Sequence, residues 1–383
     1  MESISIYVHI PFCVSKCSYC DFISYRISDY EKTDGVSKYM NTLAKEFISY
    51  KNTLKPFIVD TIYIGGGTPS SIDGKFIHEL IHMIKTQVLV SEDAEITIEI
   101  NPGTLTDEKL NHYICAGVNR VSMGLQTTND TLLSSIGRIH STNDFITTYH
   151  AIKNAGIDNI SLDLMFGLPL QTLKDIENAL ALIGTLNPKH VSAYSLKLEE
   201  GTPLYKANEM KQINLPDEAL EREMYHLIET GLSALGINQY ELSNFATQGY
   251  ESKHNLVYWN NKPYLGLGVS SHSKVNNIRF ANTRSISEYI EQLENNLPVK
   301  IDEEEINEME DLFETIILGL RLNQGIDMKT INQKYQIDFY SRYSSVLKKL
   351  EQSKLIKITE EKVCLTELGR DLANQVFIEF MEE

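Results

Sequence analysis

The feature that most restricts this chain's architecture is a unit that returns six times over its first ~200 residues. Each copy is a short β-branched run, then a break, then a segment with helical spacing of apolar residues. The first run carries Ile4, Ile6, Val8 and Ile10 at alternate positions and stops at Pro11, which has no N–H to give a strand ladder. Val36, Met40, Leu43, Phe47 and Tyr50 then predict an amphipathic helix over residues 35 to 51. Further strands are predicted at Val59–Ile64, Ala94–Ile100, Arg120–Leu125, Asn159–Phe166 and His190–Leu198, with helices between them. Alternation of this kind predicts parallel strands joined by right-handed crossovers. Six units are too few to close an eight-fold barrel, so an open doubly wound sheet and a partial barrel both fit. In either, function gathers at the strands' C-terminal ends.

Three cysteines, Cys13, Cys17 and Cys20, lie just beyond the first of those ends. Thiols this close suggest a metal. A structural zinc site wants four closed ligands, and Cys115 and Cys364 stand alone far along the chain. An odd cysteine count in a large chain without a secretory segment argues against a disulfide framework. A [4Fe–4S] cluster normally takes four thiolates, so three would leave one iron open to a small molecule. The formal net charge of −17 argues against a nucleic-acid partner. With no signal peptide and no apolar run near the ~20 residues that span a bilayer, the expected location is the cytoplasm, with peripheral membrane contact left open.

The spacing CxxxCxxC after a first strand resembles the radical S-adenosylmethionine (SAM) superfamily. The longer run IYVHIPFCVSKCSYCDF is similar to the oxygen-independent coproporphyrinogen III oxidase-like family within it, which has an oxidase branch and a haem-chaperone branch. The resemblance decides for a partial (β/α)6 TIM-type barrel. It implies that Cys13, Cys17 and Cys20 hold a [4Fe–4S] cluster whose open iron chelates the amino and carboxylate groups of SAM.

Several strand-end residues stand out on their own chemistry. Gly65-Gly66-Gly67-Thr68-Pro69 follows a strand, and glycines let a backbone approach a ligand closely. The resemblance gives this motif, with Gly66, Gly67 and Thr68, the amino group of SAM. Alternation sets Glu99 on the strand face opposite Ile96, Ile98 and Ile100. A carboxylate inside a barrel needs a partner, and Arg138 is the candidate. Gln126 and Asp163 interrupt strands that should be apolar on both faces. By resemblance Gln126, Arg138 and Asp163 match positions contacting SAM's ribose and carboxylate, and Tyr7 and Tyr19 match positions lining the cofactor site.

Three features favour the haem-chaperone branch. The oxidase motif continues with a fourth cysteine where this chain has Phe22. The oxidase also carries an extension before the cluster strand, whereas twelve residues precede Cys13 here. Finally, His254-Asn255-Leu256-Val257-Tyr258-Trp259 resembles the chaperone signature HNxxYW. A neutral imidazole is a good haem-iron ligand, which makes His254 the first candidate for that role. Residues 264 to 273 resemble the family's YLGxGxGAHS, with Ser270-Ser271 in place of Gly-Ala, and His272 is the second candidate.

The expected domains are a barrel core over 1–210, an α/β extension over 211–300 and a helical, winged-helix-like domain over 301–383. The last begins with the acidic run Asp302-Glu303-Glu304-Glu305, read as entering a helix. Its acidity argues against DNA binding and for packing on the barrel. The function implied is a haem chaperone that binds a [4Fe–4S] cluster, SAM and haem, and delivers haem to haem-dependent respiratory proteins. Coproporphyrinogen III oxidase, which decarboxylates propionate side chains, is the alternative, with a radical SAM enzyme for another substrate as the third reading. No catalytic residue is assigned.

Overall fold

The computed structural model describes residues 1–381. At its centre are six parallel strands: β1 (Glu2–Ile10), β2 (Phe57–Gly66), β3 (Val90–Ile100), β4 (Arg120–Gln126), β5 (Asn159–Phe166) and β6 (His190–Ser195). They lie side by side in chain order. A doubly wound sheet reverses its direction of growth at a switch point. This sheet does not reverse, so right-handed crossovers put the connecting helices on one face. The strand twist then curls the sheet with the helices outside. The result is the expected partial (β/α)6 barrel.

Alternation divides the strands cleanly. Ile4, Ile6, Val8, Ile62, Ile64, Ile96, Ile98 and Ile100 belong to one apolar core with the helices. The other face carries Tyr63, Glu95, Thr97, Glu99, Arg120, Ser122, Asp163 and Ser192. Strand register sets Glu99 beside Ser122, and Asp163 beside Ser192. The barrel's inside is polar, which suits a ligand site better than a packed core.

The region after β6 covers both edges of this sheet. β7 (Asn238–Glu241) and β8 (Asn244–Ala246) extend it antiparallel beyond β6. β9 (Tyr264–Leu267) pairs parallel with β1, and β10 (His272–Val275), β11 (Ile278–Asn282) and β12 (Lys300–Glu305) continue antiparallel from it. The acidic run Asp302–Glu305 is therefore an edge strand rather than a helix. Its charges are exposed, and charge on an edge strand blocks further pairing. The helix starts later, at Glu308–Leu320, where Asn307 and Glu310 form a capping box.

A second core, built from Leu312, Ile316, Ile331, Phe339, Leu347 and Val363 among others, stands apart from the first. It packs helices on a three-stranded sheet, in the manner of a winged helix. Lys274 joins it to the barrel through Asp311 (2.9 Å) and Glu314 (3.1 Å).

Glu46 ties the first barrel helix (Gly35–Ser49) to the extension. Its carboxylate is buried and accepts from Gly268 N (2.7 Å), Asn282 Nδ2 (2.6 Å) and Tyr289 OH (2.5 Å). Burial pushes its pKa up to about 7 from 4.5. The folded state then keeps a proton that the unfolded chain has lost. This stabilisation is complete below about pH 4.5 and is lost as pH rises through about 7. Urea unfolding of wild type and Glu46→Gln across that window should show their stability difference shifting by about 3 kcal/mol, wild type weakening as pH rises. A difference that stays flat with pH would contradict the assignment.

Candidate functional site

The strand ends β2 to β6 and the cysteine loop enclose a cavity of about 510 Å³. The loop is anchored from three directions. Tyr25 N donates to Pro11 O (2.8 Å), Ser18 N to Ile136 O (3.0 Å), and Leu204 N to Ser18 O (2.9 Å). Cys13, Cys17 and Cys20 all line the cavity, without closing round a single-ion position among the described residues. Burial raises the Cys13 pKa and pushes Cys20 up to about 11. These thiols therefore hold their protons until a metal displaces them.

A polar chain links two of the thiols. Thr68 Oγ1 donates to Cys13 Sγ (3.4 Å), Asn101 Nδ2 to Thr68 Oγ1 (2.7 Å), Arg138 Nη2 to Asn101 Oδ1 (2.8 Å), and Arg138 Nη1 to Cys17 Sγ (3.7 Å). Arg138 is thus committed to the cysteine loop and does not pair with Glu99. Glu99 instead accepts from Tyr63 OH (2.9 Å) and Gly66 N (3.2 Å). Burial pushes the pKa of Glu99 to about 7 and that of Asp163 to about 6; Ser122 Oγ donates to Asp163 at 3.2 Å. Gln126 stands in the left-handed region, with φ of 65°, and accepts from Tyr194 OH (3.3 Å).

Gly66 needs its missing side chain. Its φ is +112°, and a Cβ there would sit 2.6 Å from the His9 ring. A Cβ on Gly67 would come within 2.9 Å of Phe12 backbone atoms, so β1 and the cysteine loop can lie against the motif only because it is glycine.

Of the residues singled out in the sequence, Tyr19, Gly66, Gly67, Thr68, Glu99, Gln126, Arg138 and Asp163 line this cavity with the three cysteines. Tyr7 and His254 do not. Tyr7 lines a neighbouring cavity, donating or accepting at His9 Nδ1 (3.1 Å). His254 is buried behind the wall, with Nδ1 2.6 Å from Thr61 Oγ1, Nε2 3.0 Å from Tyr258 OH, and its ring stacked on Tyr63. Burial and the Arg120 charge hold its pKa at about 3. Both ring nitrogens are engaged within the protein, and His254 lies outside the cysteine-lined cavity. Trp259, from the same signature, takes the Arg321 guanidinium over its ring at 4.3 Å and so sits against the C-terminal helix.

Sequence reasoning missed Arg120, Ser122, Asn101, Tyr194, Asn244 and Asn255, which also line the cavity. Arg120 is only 2% exposed, with Nε 3.9 Å from Glu95, and its charge favours ionisation of Glu99 and Asp163. The signal was present in the period: Arg120, Ser122, Gly124 and Gln126 occupy alternate positions of one strand.

The fold and this cysteine-lined cavity are those of a radical SAM protein. Residues 7–183 match the Radical SAM superfamily, and residues 306–372 match the HemN C-terminal domain. The solved coproporphyrinogen III oxidase (HemN) of Escherichia coli shares the fold, with a TM-score of 0.85 at 22% identity over 99% of this chain and 90% of that one. In sequence the chain is 40% identical to the heme chaperone HemW of Bacillus subtilis (strain 168), over 99% of each chain. It is 33% identical to HemW of Lactococcus lactis subsp. lactis (strain IL1403), over 98% and 97%. HemW of Escherichia coli (strain K12) is 36% identical, over 72% and 71%. The chain belongs to the HemW family.

Proposed function

We propose that this protein is a cytoplasmic haem chaperone that binds a [4Fe–4S] cluster, SAM and haem, and passes haem to haem-dependent respiratory proteins. The observation that carries the reading is full-length identity to relatives named for that activity, in a chain whose cysteine loop has Phe22 where the oxidase motif has a fourth cysteine. Cys13, Cys17 and Cys20 would hold the cluster. Their three thiols and the unpartnered Arg138 Nε and Ser18 Oγ beside them fit a sulfide-rich anionic group. When bound, the cluster supplies an iron that can take a further ligand and an electron.

The chain's own groups would orient SAM. The cavity-lining backbone of Gly66, Gly67 and Thr68 would offer acceptors for its amino group, and Glu99 and Asp163 would offer carboxylates to its cation or ribose. Gln126, Arg138 and Tyr19 would close the site around it. Tyr7 supports this wall from behind, stacked on Tyr63 at 6.2 Å. Haem-loaded protein mixed with a haem-free acceptor should hand over haem faster than haem released from albumin, read by the acceptor's absorption. Transfer no faster than from albumin would contradict a chaperone role.

No helix among the described residues is long and apolar enough to cross a membrane. Contact with a membrane-bound acceptor would therefore be made from the surface.

A further inference from the structure

Beside the first cavity lies a second of about 430 Å³, within the roughly 300–1,000 Å³ of small-molecule sites. Tyr7, Phe22, Tyr258 and Tyr264 give it an aromatic lining, and His272 and Arg284 give it polar groups. Asp21 and Phe22 line both cavities, so the end of the cysteine loop is a shared partition.

We infer that this second cavity is the haem site, with His272 as the iron ligand and Arg284 as the partner of a haem propionate. The inference rests on the haem-chaperone reading and locates the cargo within it. Haem is a flat apolar ring with an anionic edge, and its iron seeks an axial donor. Each need has an answer here. Phe22, 62% exposed, offers an unused aromatic face, and Tyr258 and Tyr264, which also line the cavity, pack edge to face at 4.8 Å. Among the described residues the Arg284 side chain has no hydrogen bond or ion pair, while its carbonyl accepts from Tyr25 OH (3.2 Å). A free guanidinium suits a carboxylate. The His272 ring likewise has no hydrogen-bonding partner among the described residues, in contrast to His254 with both nitrogens bonded.

The turn that carries His272 is fixed before any ligand arrives. Gly268, at φ +94°, could not take a side chain without meeting Tyr39 OH. Ser271 Oγ donates to Gly268 O (2.7 Å) and accepts from Asn282 Nδ2 (3.2 Å), and Ser270 N donates to Thr283 O (2.9 Å). Ser270 adopts φ of 58°, the left-handed region that a residue other than glycine enters at a cost, so the surrounding hydrogen bonds hold the turn. Such preorganisation lowers the cost of ordering a ligand's surroundings.

The test is a haem titration of anaerobically reconstituted protein by absorption, comparing wild type with His272→Ala, His272→Met, Arg284→Ala and His254→Ala. Wild type should bind haem stoichiometrically with an imidazole-ligated spectrum. His272→Ala should lose that spectrum, weaken binding roughly tenfold or more, and recover the spectrum with added imidazole. His272→Met should shift the spectrum towards thioether ligation. Arg284→Ala should weaken binding about three- to tenfold with the spectrum unchanged. His254→Ala should keep the imidazole signature, and unchanged iron content across the set shows that the variants are folded. An unaltered spectrum in His272→Ala, or its loss in His254→Ala, overturns this site while leaving the chaperone reading in place. Failure of the wild type to bind haem overturns both.

Discussion

Alanine at Cys13, Cys17 or Cys20 will reduce the iron and sulfide of anaerobically reconstituted protein to near background, from about four irons per chain in the wild type. The three thiols are the only cysteines at the cavity; Cys115 is exposed on a barrel helix and Cys364 lies in the small C-terminal sheet. A cluster held by three ligands has one iron open already, and a second open iron would leave it with two anchors. Cys115→Ala and Cys364→Ala should retain full iron. Because burial raises the pKa of Cys13 and Cys20, reconstitution must expel protons, and its yield at limiting iron should rise with pH. Full iron in any single variant of the three would contradict the cluster assignment.

Arg120→Leu should destabilise the cofactor-free protein by about 3–5 kcal/mol at pH 8, measured by urea unfolding, the scale for removing one partner of a buried charge group. Arg120 is buried beneath the cavity, and its positive charge faces Glu95, Glu99 and Asp163. Leucine would fill part of the space but take the counter-charge from Glu95 and Glu99 and leave Asp163 with Arg138 alone. Lowering the pH to about 5 should reduce the loss, because Glu99 and Asp163, with pKa values of about 7 and 6, can then take protons. A loss under about 1 kcal/mol at pH 8 would show that Arg120 does not serve as the shared charge.

The barrel was legible because its code is local. Alternating Ile4, Ile6, Val8 and Ile10 state a strand, and Pro11 states where it ends. The cysteine spacing pointed to the cavity for the same reason: one loop carries all three thiols that line it. What failed was pairing between distant segments. Glu99 reads as needing a partner and Arg138 as the candidate, but the sequence does not show that Arg138 turns to Asn101 and Cys17 while Tyr63 and Gly66 satisfy Glu99. The acidic run Asp302–Glu305 misled because charge suits an exposed helix and an exposed edge strand equally, and only pairing with Ile278–Asn282 decides. The surroundings of His254 were equally out of reach of the sequence: Thr61, far away in the chain, and Tyr258 lie against its two ring nitrogens.

The central claim, that a radical SAM barrel here carries haem rather than making its precursor, is tested by one measurement. Anaerobically reconstituted protein is titrated with haem while coproporphyrinogen III, SAM and a reductant are supplied to the same preparation, and porphyrin products are analysed. The account predicts stoichiometric haem binding with no decarboxylation. Decarboxylated product without haem binding would contradict it and make the chain an oxidase.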